Sequence, residues 1–483
     1  MACLAVLFSY RAQAVTGDSL VLDLDGVIQI ARSQSPSVQS ARSTFLAAYW
    51  NYRYFRANYL PSVTLTSSPY LNREVNKITR SDGTSVFIAQ DQLGADLSLT
   101  INQNIPFTGG SLFVRSRLNC LNEFQNKTAS YSAAPFSIGY QQSLFGYNSL
   151  KWDRRIEPIR YREAKKRYAE TLELVSATAC NHFFRLATAQ MELDMARQNC
   201  ASADTLYRMA QGRYSIGTIT ENEMLQLEIN RLNEESNVMD AQIALQEQLQ
   251  SIRSFLGLEQ RAEIRLMIPD SVPDFSVPLG EAISLATENS PDPDYYKRIV
   301  TESRSALANA RANAGLKADL YLQFGLSQTG DKLSSAYRDL MHQEYASVSL
   351  VLPILDWGRG KGRVRVAKSQ LALTETTAEQ GMNDFHKNIE KLVMQFNMQA
   401  RKVHIASLTS QRAEQRHSVA RRLYILGRNS ILDLNAAISE KNSARRGHIA
   451  AMQTYWSLYY TIRSMTQYDF ESRRPLSETL PTE

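Results

Sequence analysis

The chain has 483 residues, with 54 lysines and arginines against 48 acids and a formal net charge of +6. So small and scattered an excess argues against nucleic acid as a partner, and 43% apolar residues exclude a disordered tail. Mean hydropathy is -0.33, and no apolar run reaches the roughly 18 residues of a membrane helix, which argues against a helical membrane protein.

Catalytic and metal signatures are missing. Cys3, Cys120, Cys180 and Cys200 form no CxxC pattern, and the six histidines include no HExxH. No glycine-rich phosphate loop or nucleophile elbow occurs. The expectation is a non-enzyme with no cofactor, no metal site and no catalytic residue. The length suggests two or three domains. Of the 14 prolines, however, none lies between residues 159 and 268 or between 354 and 474. Proline breaks helix interiors, so the two gaps predict very long helices.

In chain order, residues 2–9 are apolar and Ala12-Gln13-Ala14 has the form of a cleavage site. Residues 1–14 are read as a signal peptide that implies export and removes Cys3. An internal repeat follows. LDGVIQIARSQSP at 24–36 matches LGEAISLATENSP at 279–291 at an offset of 255. Each copy predicts an amphipathic helix with a Ser-Pro stop. Helices are thus expected over 15–59 and 279–317, and strands over 60–145 and 318–356.

The strand signal is period-2 alternation. Val63 and Leu65 alternate with Ser62, Thr64 and Thr66, and Phe136, Ile138 and Tyr140 with Ser137, Gly139 and Gln141. In the second half Leu320, Leu322, Phe324 and Leu326 alternate with Tyr321, Gln323, Gly325 and Ser327. Ala346, Val348, Leu350 and Leu352 do so with Ser347 and Ser349. Only the first half carries an insert, 71–134. In it Leu97, Leu99 and Ile101 alternate with Asp96, Ser98, Thr100 and Asn102 ahead of Pro106 and Gly109-Gly110. This predicts an extra hairpin, placed either in outer loops or at the rim.

Matching junctions lead from the strands into the long helices. One runs from Ser143 to Asn148 and the other is Leu352-Pro353-Ile354-Leu355-Asp356-Trp357-Gly358. The long helices are expected over 159–217 and 358–427. Each carries a stripe with steps of three and four: Leu172, Val175, Ala179, His182, Leu186 and onward to Ala210 and Tyr214, then Phe385, Ile389, Leu392, Phe396 and onward to Ala420 and Tyr424. A sustained 3.5 period means left-handed supercoiling. His182, Cys200 and His417 on the stripes read as packing residues. Glycine turns at Gly217-Thr218 and Gly427-Arg428 then start return helices over 221–256 and 431–468. Thus 146–256 and 357–468 are helical hairpins, 257–278 is a linker and 469–483 a tail.

Alternating strands behind a signal peptide fit an outer-membrane barrel. Four strands cannot close one, since about eight is the minimum, so the strands must be shared in an oligomer.

The order, duplication and spacing of these features resemble the TolC-like outer-membrane efflux family over about residues 20–468. The resemblance rests on the repeated Leu-to-Ser-Pro opening, Leu60-Pro61, the Leu352–Gly358 junction and the two Tyr-x-x-Gly turns. It implies a mainly α fold with membrane β: a homotrimer whose 12-stranded barrel, four strands per chain, continues into a periplasmic α-helical barrel. It also implies outer-membrane lipid around the strands, a Gram-negative host, and two partners, a periplasmic adaptor (membrane fusion protein) and an inner-membrane pump of RND or ABC type. The implied role is the passive exit duct of an efflux or type I secretion system. A periplasmic coiled-coil adaptor or scaffold is the alternative.

By the same resemblance Tyr424, Asp433 and Glu223 take gate positions. Asn429 stands where the family has an arginine, with Arg428 beside it, and Ala436 replaces a second acid. Gly217, Thr218, Gly427 and Arg428 would meet the adaptor. The competing local reading is that Asp433 and Glu223 simply occupy the first turns of the return helices.

Overall fold

The structure is a computed structural model that describes residues 20–125, 127–258, 264–269 and 271–476. The expected signal peptide lies outside the described residues. In chain order the elements are β1 (Leu20–Leu22), α1 (Leu24–Gln34), α2 (Pro36–Ala57), β2 (Ser62–Thr79), β3 (Ser85–Ile105), β4 (Gly110–Glu123) and β5 (Thr128–Ser143). Then come α3 (Ser149–Ser215), α4 (Glu221–Leu256), β6 (Ile264–Leu266), α5 (Leu279–Asn289), α6 (Asp292–Ala312), β7 (Lys317–Gly330) and β8 (Met341–Val351). Last are α7 (Arg359–Ile425), α8 (Ile431–Thr466), β9 (Tyr468–Asp469) and β10 (Arg474–Pro475).

The repeat is structural. α1 and α5 each span 11 residues, α3 and α7 each span 67, and α4 and α8 each span 36. The short helices stop alike. Ser35 and Ser290 are wholly buried, with extended backbone at ψ 146° and 149°. The following proline ring disfavours the helical region for both.

α3 starts ten residues earlier than the sequence analysis expected, and Pro158 lies inside it. Proline interrupts a helix by losing one donor and crowding the preceding turn. Here Ile156 and Ile159 bracket it and are buried, so packing holds the helix through the break. The junctions have local causes too. Asp356 accepts hydrogen bonds from the backbone N–H groups of Gly358 and Gly360 at 2.9 and 2.7 Å, which starts α7. Asn148 accepts from the Lys151 N–H at 2.9 Å and starts α3.

The chain forms two compact units, each drawing segments from both halves. Among the described residues, unit 1 falls within Met1–Leu46, Lys165–Pro291 and Asp384–Glu483, and unit 2 within Ala47–Ala164 and Asp292–Asn383. In unit 1 the heptad stripe is the core. Leu172, Val175, Ala179, Leu186, Ala189 and Leu193 of α3 are buried, as are Phe385, Ile389, Phe396 and Val403 of α7. His182 is half-buried and stacked on Phe255 at 4.6 Å. Burial holds its pKa below the ordinary histidine value, with Arg185 adding to the effect. Glu173 is fully buried and bonded to Arg32 and Arg463. β1 pairs in parallel with β6, so a short strand occupies part of the expected linker.

Unit 2 holds one antiparallel sheet of six strands, in the order β2-β3-β4-β5-β7-β8. The four strands per chain implied by the family resemblance are therefore corrected to six. The insert is a hairpin, as expected, but it is spliced into the sheet between β2 and β5. The reason is its own period-2 alternation, in phase with its neighbours. Leu97, Leu99 and Ile101 register with Leu118, Ser116 and Val114 on one side and with Ser67, Leu65 and Val63 on the other. One apolar face thus crosses the sheet through Val63, Ile101, Val114, Ile138 and Phe324. The opposite face is mainly polar, with Phe113 buried among its polar groups. There Arg117 pairs with Asp96 at 2.6 Å, and Arg115 donates to Thr100 at 3.3 Å. β5 bulges between Ala133 and Phe136, where Pro135 has no N–H to give the ladder.

Candidate gate at the hairpin turns

Both helical hairpins end in unit 1, and their turns are built alike. α3 stops at Gly217 with φ +74°, and α7 at Gly427 with φ +69°. Each turn closes with two backbone bonds. Gly217 N–H donates to the Tyr214 carbonyl and Thr218 N–H to that of Arg213, both at 2.9 Å. Gly427 N–H donates to Tyr424 at 3.0 Å and Arg428 N–H to Leu423 at 2.9 Å. Such left-handed caps satisfy the carbonyls that a helix end leaves orphaned.

The return helices start with side-chain caps. Thr220 accepts from the Glu223 N–H at 3.3 Å, while the Glu223 carboxylate accepts from the Thr220 N–H at 3.0 Å, a full capping box. Ser430 accepts from the Asp433 N–H at 3.1 Å and donates its hydroxyl to the Asp433 carboxylate at 2.7 Å. Both acids therefore occupy the local position that the competing reading foresaw, in first turns where the helix dipole favours them. Both are also exposed, so each keeps a face toward solvent.

The two turns pack together. Leu206 and Ala210 of α3, Leu227 of α4, Ala420 of α7, and Leu434 and Ala437 of α8 form one buried cluster, edged by Tyr207, Ile219, Tyr424 and Ile431. Alanines at three of six places let four helices approach closely. Tyr424 is half-buried against this cluster. Burial pushes its hydroxyl pKa upward, with Arg213 opposing and Glu223 reinforcing. The Arg213 guanidinium donates to the Ile425 carbonyl at 3.0 Å and so ties the end of α3 to the end of α7. Arg213 carries no signal in the sequence, because its acceptor is a backbone carbonyl 212 positions away.

Of the other expected residues, Arg428 is exposed and Asn429 half-exposed. Gly217, Thr218 and Gly427 are exposed at the turns. The structure brings Tyr424 and Glu223 into electrostatic reach of each other and places Asp433 at the start of the adjoining α8. Among the described residues, no group of three or more potential ligands could hold a metal ion, and no helix is long and apolar enough to cross a membrane.

An amphipathic antiparallel sheet joined to duplicated long helical hairpins defines the class of outer-membrane efflux channels. The chain belongs to the outer membrane efflux protein family, which matches residues 27–258 and 283–465, one stretch in each half. Among solved structures it is similar to the CmeC outer membrane channel of Campylobacter jejuni, with a TM-score of 0.66 and 14% identity over 92% of this chain and 85% of that one. VceC, an outer membrane protein of Vibrio cholerae, gives 0.64 and 14% over 92% and 95%. A membrane protein from Pseudomonas aeruginosa gives 0.65 and 14% over 95% and 93%. At that identity the likeness establishes the fold alone. A search of curated proteins finds no match.

Proposed function

We propose that this chain is the outer-membrane exit duct of a tripartite efflux or type I secretion assembly in a Gram-negative envelope. Three copies form the duct, which conducts passively. An inner-membrane pump supplies the energy through a periplasmic adaptor that grips the turns at Gly217-Thr218 and Gly427-Arg428. The observation that carries this reading is the pair of matched hairpin turns, packed on one cluster and each followed by an exposed acid. Three copies of Asp433 around an axis form an anionic ring that favours cations. Tyr424, Glu223, Arg428 and Asn429 are its neighbours in the closed end. A stand-alone adaptor or scaffold has no use for a sheet with an exposed apolar face.

Membrane fractionation with cross-linking tests the duct: a heat-sensitive trimer in the outer membrane is expected, and a soluble monomer refutes it. Asp433→Asn tests the ring, since asparagine keeps an oxygen for the Ser430 hydroxyl but removes the charge. Block by trivalent cations in planar bilayers should weaken. Unchanged block would mean that the carboxylate serves only the helix cap.

A further inference from the structure

The insert between β2 and β5 is more than a surface decoration. On β3 the apolar face runs Leu93, Ala95, Leu97, Leu99, Ile101, a span of nine residues. A membrane strand needs about 9–11 residues to cross the hydrocarbon. On β4 the matching face is Val114, Ser116, Leu118 and Cys120, registered with Ile101, Leu99, Leu97 and Ala95, and Leu112 extends it opposite Gln103. Leu97, Leu99 and Ile101 are 43%, 44% and 41% exposed. Next to them the edge residues Val63 and Leu65 are 66% and 65% exposed. Above Leu71 and Leu93 the same face turns charged, with Arg73 and Asp91 paired at 2.8 Å, which is where a hydrocarbon band would end. The reverse face of β3 and β4 carries Asp96, Thr100, Arg115, Arg117 and Asn119, a polar lining. Both faces of the insert thus continue those of the other four strands.

The sheet is also sheared as a barrel wall must be. The register line through Val63, Ile101, Val114, Ile138 and Phe324 ends at Glu344. Val63 is the second residue of β2, whereas Phe324 is the eighth of β7. The line therefore climbs along successive strands, the stagger that closure of a tilted barrel requires. It also lifts Glu344 above the apolar stretch Ala346, Val348, Leu350 of β8. Both edges, β2 and β8, lack a further strand among the described residues, and unpaired edges are not tolerated in a bilayer.

We propose that β3 and β4 are staves of the membrane wall, so that three copies close an eighteen-stranded barrel in which β8 of one copy pairs with β2 of the next. The partner at each edge is another copy of this chain. This rests on the outer-membrane duct reading and deepens it. Barrel diameter grows roughly linearly with strand number, so the bore is about half again as wide as twelve strands give. The membrane portion then admits bulkier cargo than a twelve-stranded wall, and the narrow point lies at the periplasmic end.

The test uses the full chain with Cys3, Cys120, Cys180 and Cys200 replaced by serine. Leu97→Cys, Leu118→Cys and Leu322→Cys each carry an environment-sensitive fluorophore, and the trimer is placed in vesicles of brominated lipid. Electron cryomicroscopy of the unlabelled trimer counts the strands. Quenching at 97 and 118 equal to that at 322, with eighteen strands counted, is the expected result. Quenching at 322 alone, with twelve strands, overturns the inference and leaves the duct reading standing. Absence of an outer-membrane trimer, or no quenching at 322, overturns both.

Discussion

At Gly427 a side chain would meet no atom within 4 Å, so the position is demanded by φ +69° alone. Gly427→Ala is expected to cost about 1–2 kcal/mol of local stability, the penalty of a left-handed backbone. Faster amide exchange confined to the ends of α7 and α8 would show it; unchanged exchange would contradict the cap. Arg213 invites a second test. Arg213→Ala removes the tie to Ile425 while leaving the buried cluster intact. We expect a larger mean conductance in planar bilayers, and no change would count against a gating role for this tie. The acids and glycines of the turns were legible in the sequence because caps are local, written in residues three or four apart. Arg213 was not, because a carbonyl acceptor leaves no mark on residue identity.

Among the elements, α3 and α8 meet through a buried ionic knot. Glu173 lies between Arg32 and Arg463, and Arg463 also bonds Tyr459 and Asp469. Burial alone would lower the Arg463 pKa, but Glu173, Tyr459 and Asp469 outweigh it and raise it. Glu173→Gln leaves two guanidinium groups without their buried partner, and should cost about 3 kcal/mol, read as a lower unfolding temperature. Burial pushes the Asp469 carboxyl up, but Tyr459 and Arg463 more than offset this and hold it below its ordinary value. A lowered carboxylate pKa adds stability that is present above the unfolded-state value and lost as pH falls through the folded one. Acidification through the carboxylate range should therefore loosen the end of α8, and Asp469→Asn should flatten that response.

The strands make the complementary prediction. Leu350 on the apolar face of β8 is 65% exposed. Leu350→Arg should cost about 2–4 kcal/mol if it sits near the bilayer midplane, and trimer yield should fall. Wild-type assembly would count against that face meeting lipid. The long helices were legible from proline gaps and heptads because supercoiling is periodic. The start of α3 was not, since packing of Ile156 and Ile159 carried the helix across Pro158.

Taken whole, the chain is two copies of one plan, with α3 and α7 of 67 residues each, about 100 Å at 1.5 Å per residue. The duplication does not yield two sequential domains; segments of both halves interleave in each compact unit. Periodicity, capping and the repeat were readable from residue order because each arises between near neighbours or at a constant offset. They sufficed for the helical hairpins, the alternating strands and the family. Two features depended on the folded chain: the splice of the insert into a six-stranded sheet and the Arg213 tie. Strand order and register are set by pairings between distant segments. Alternation says which residues share a face, but not which strand lies beside which.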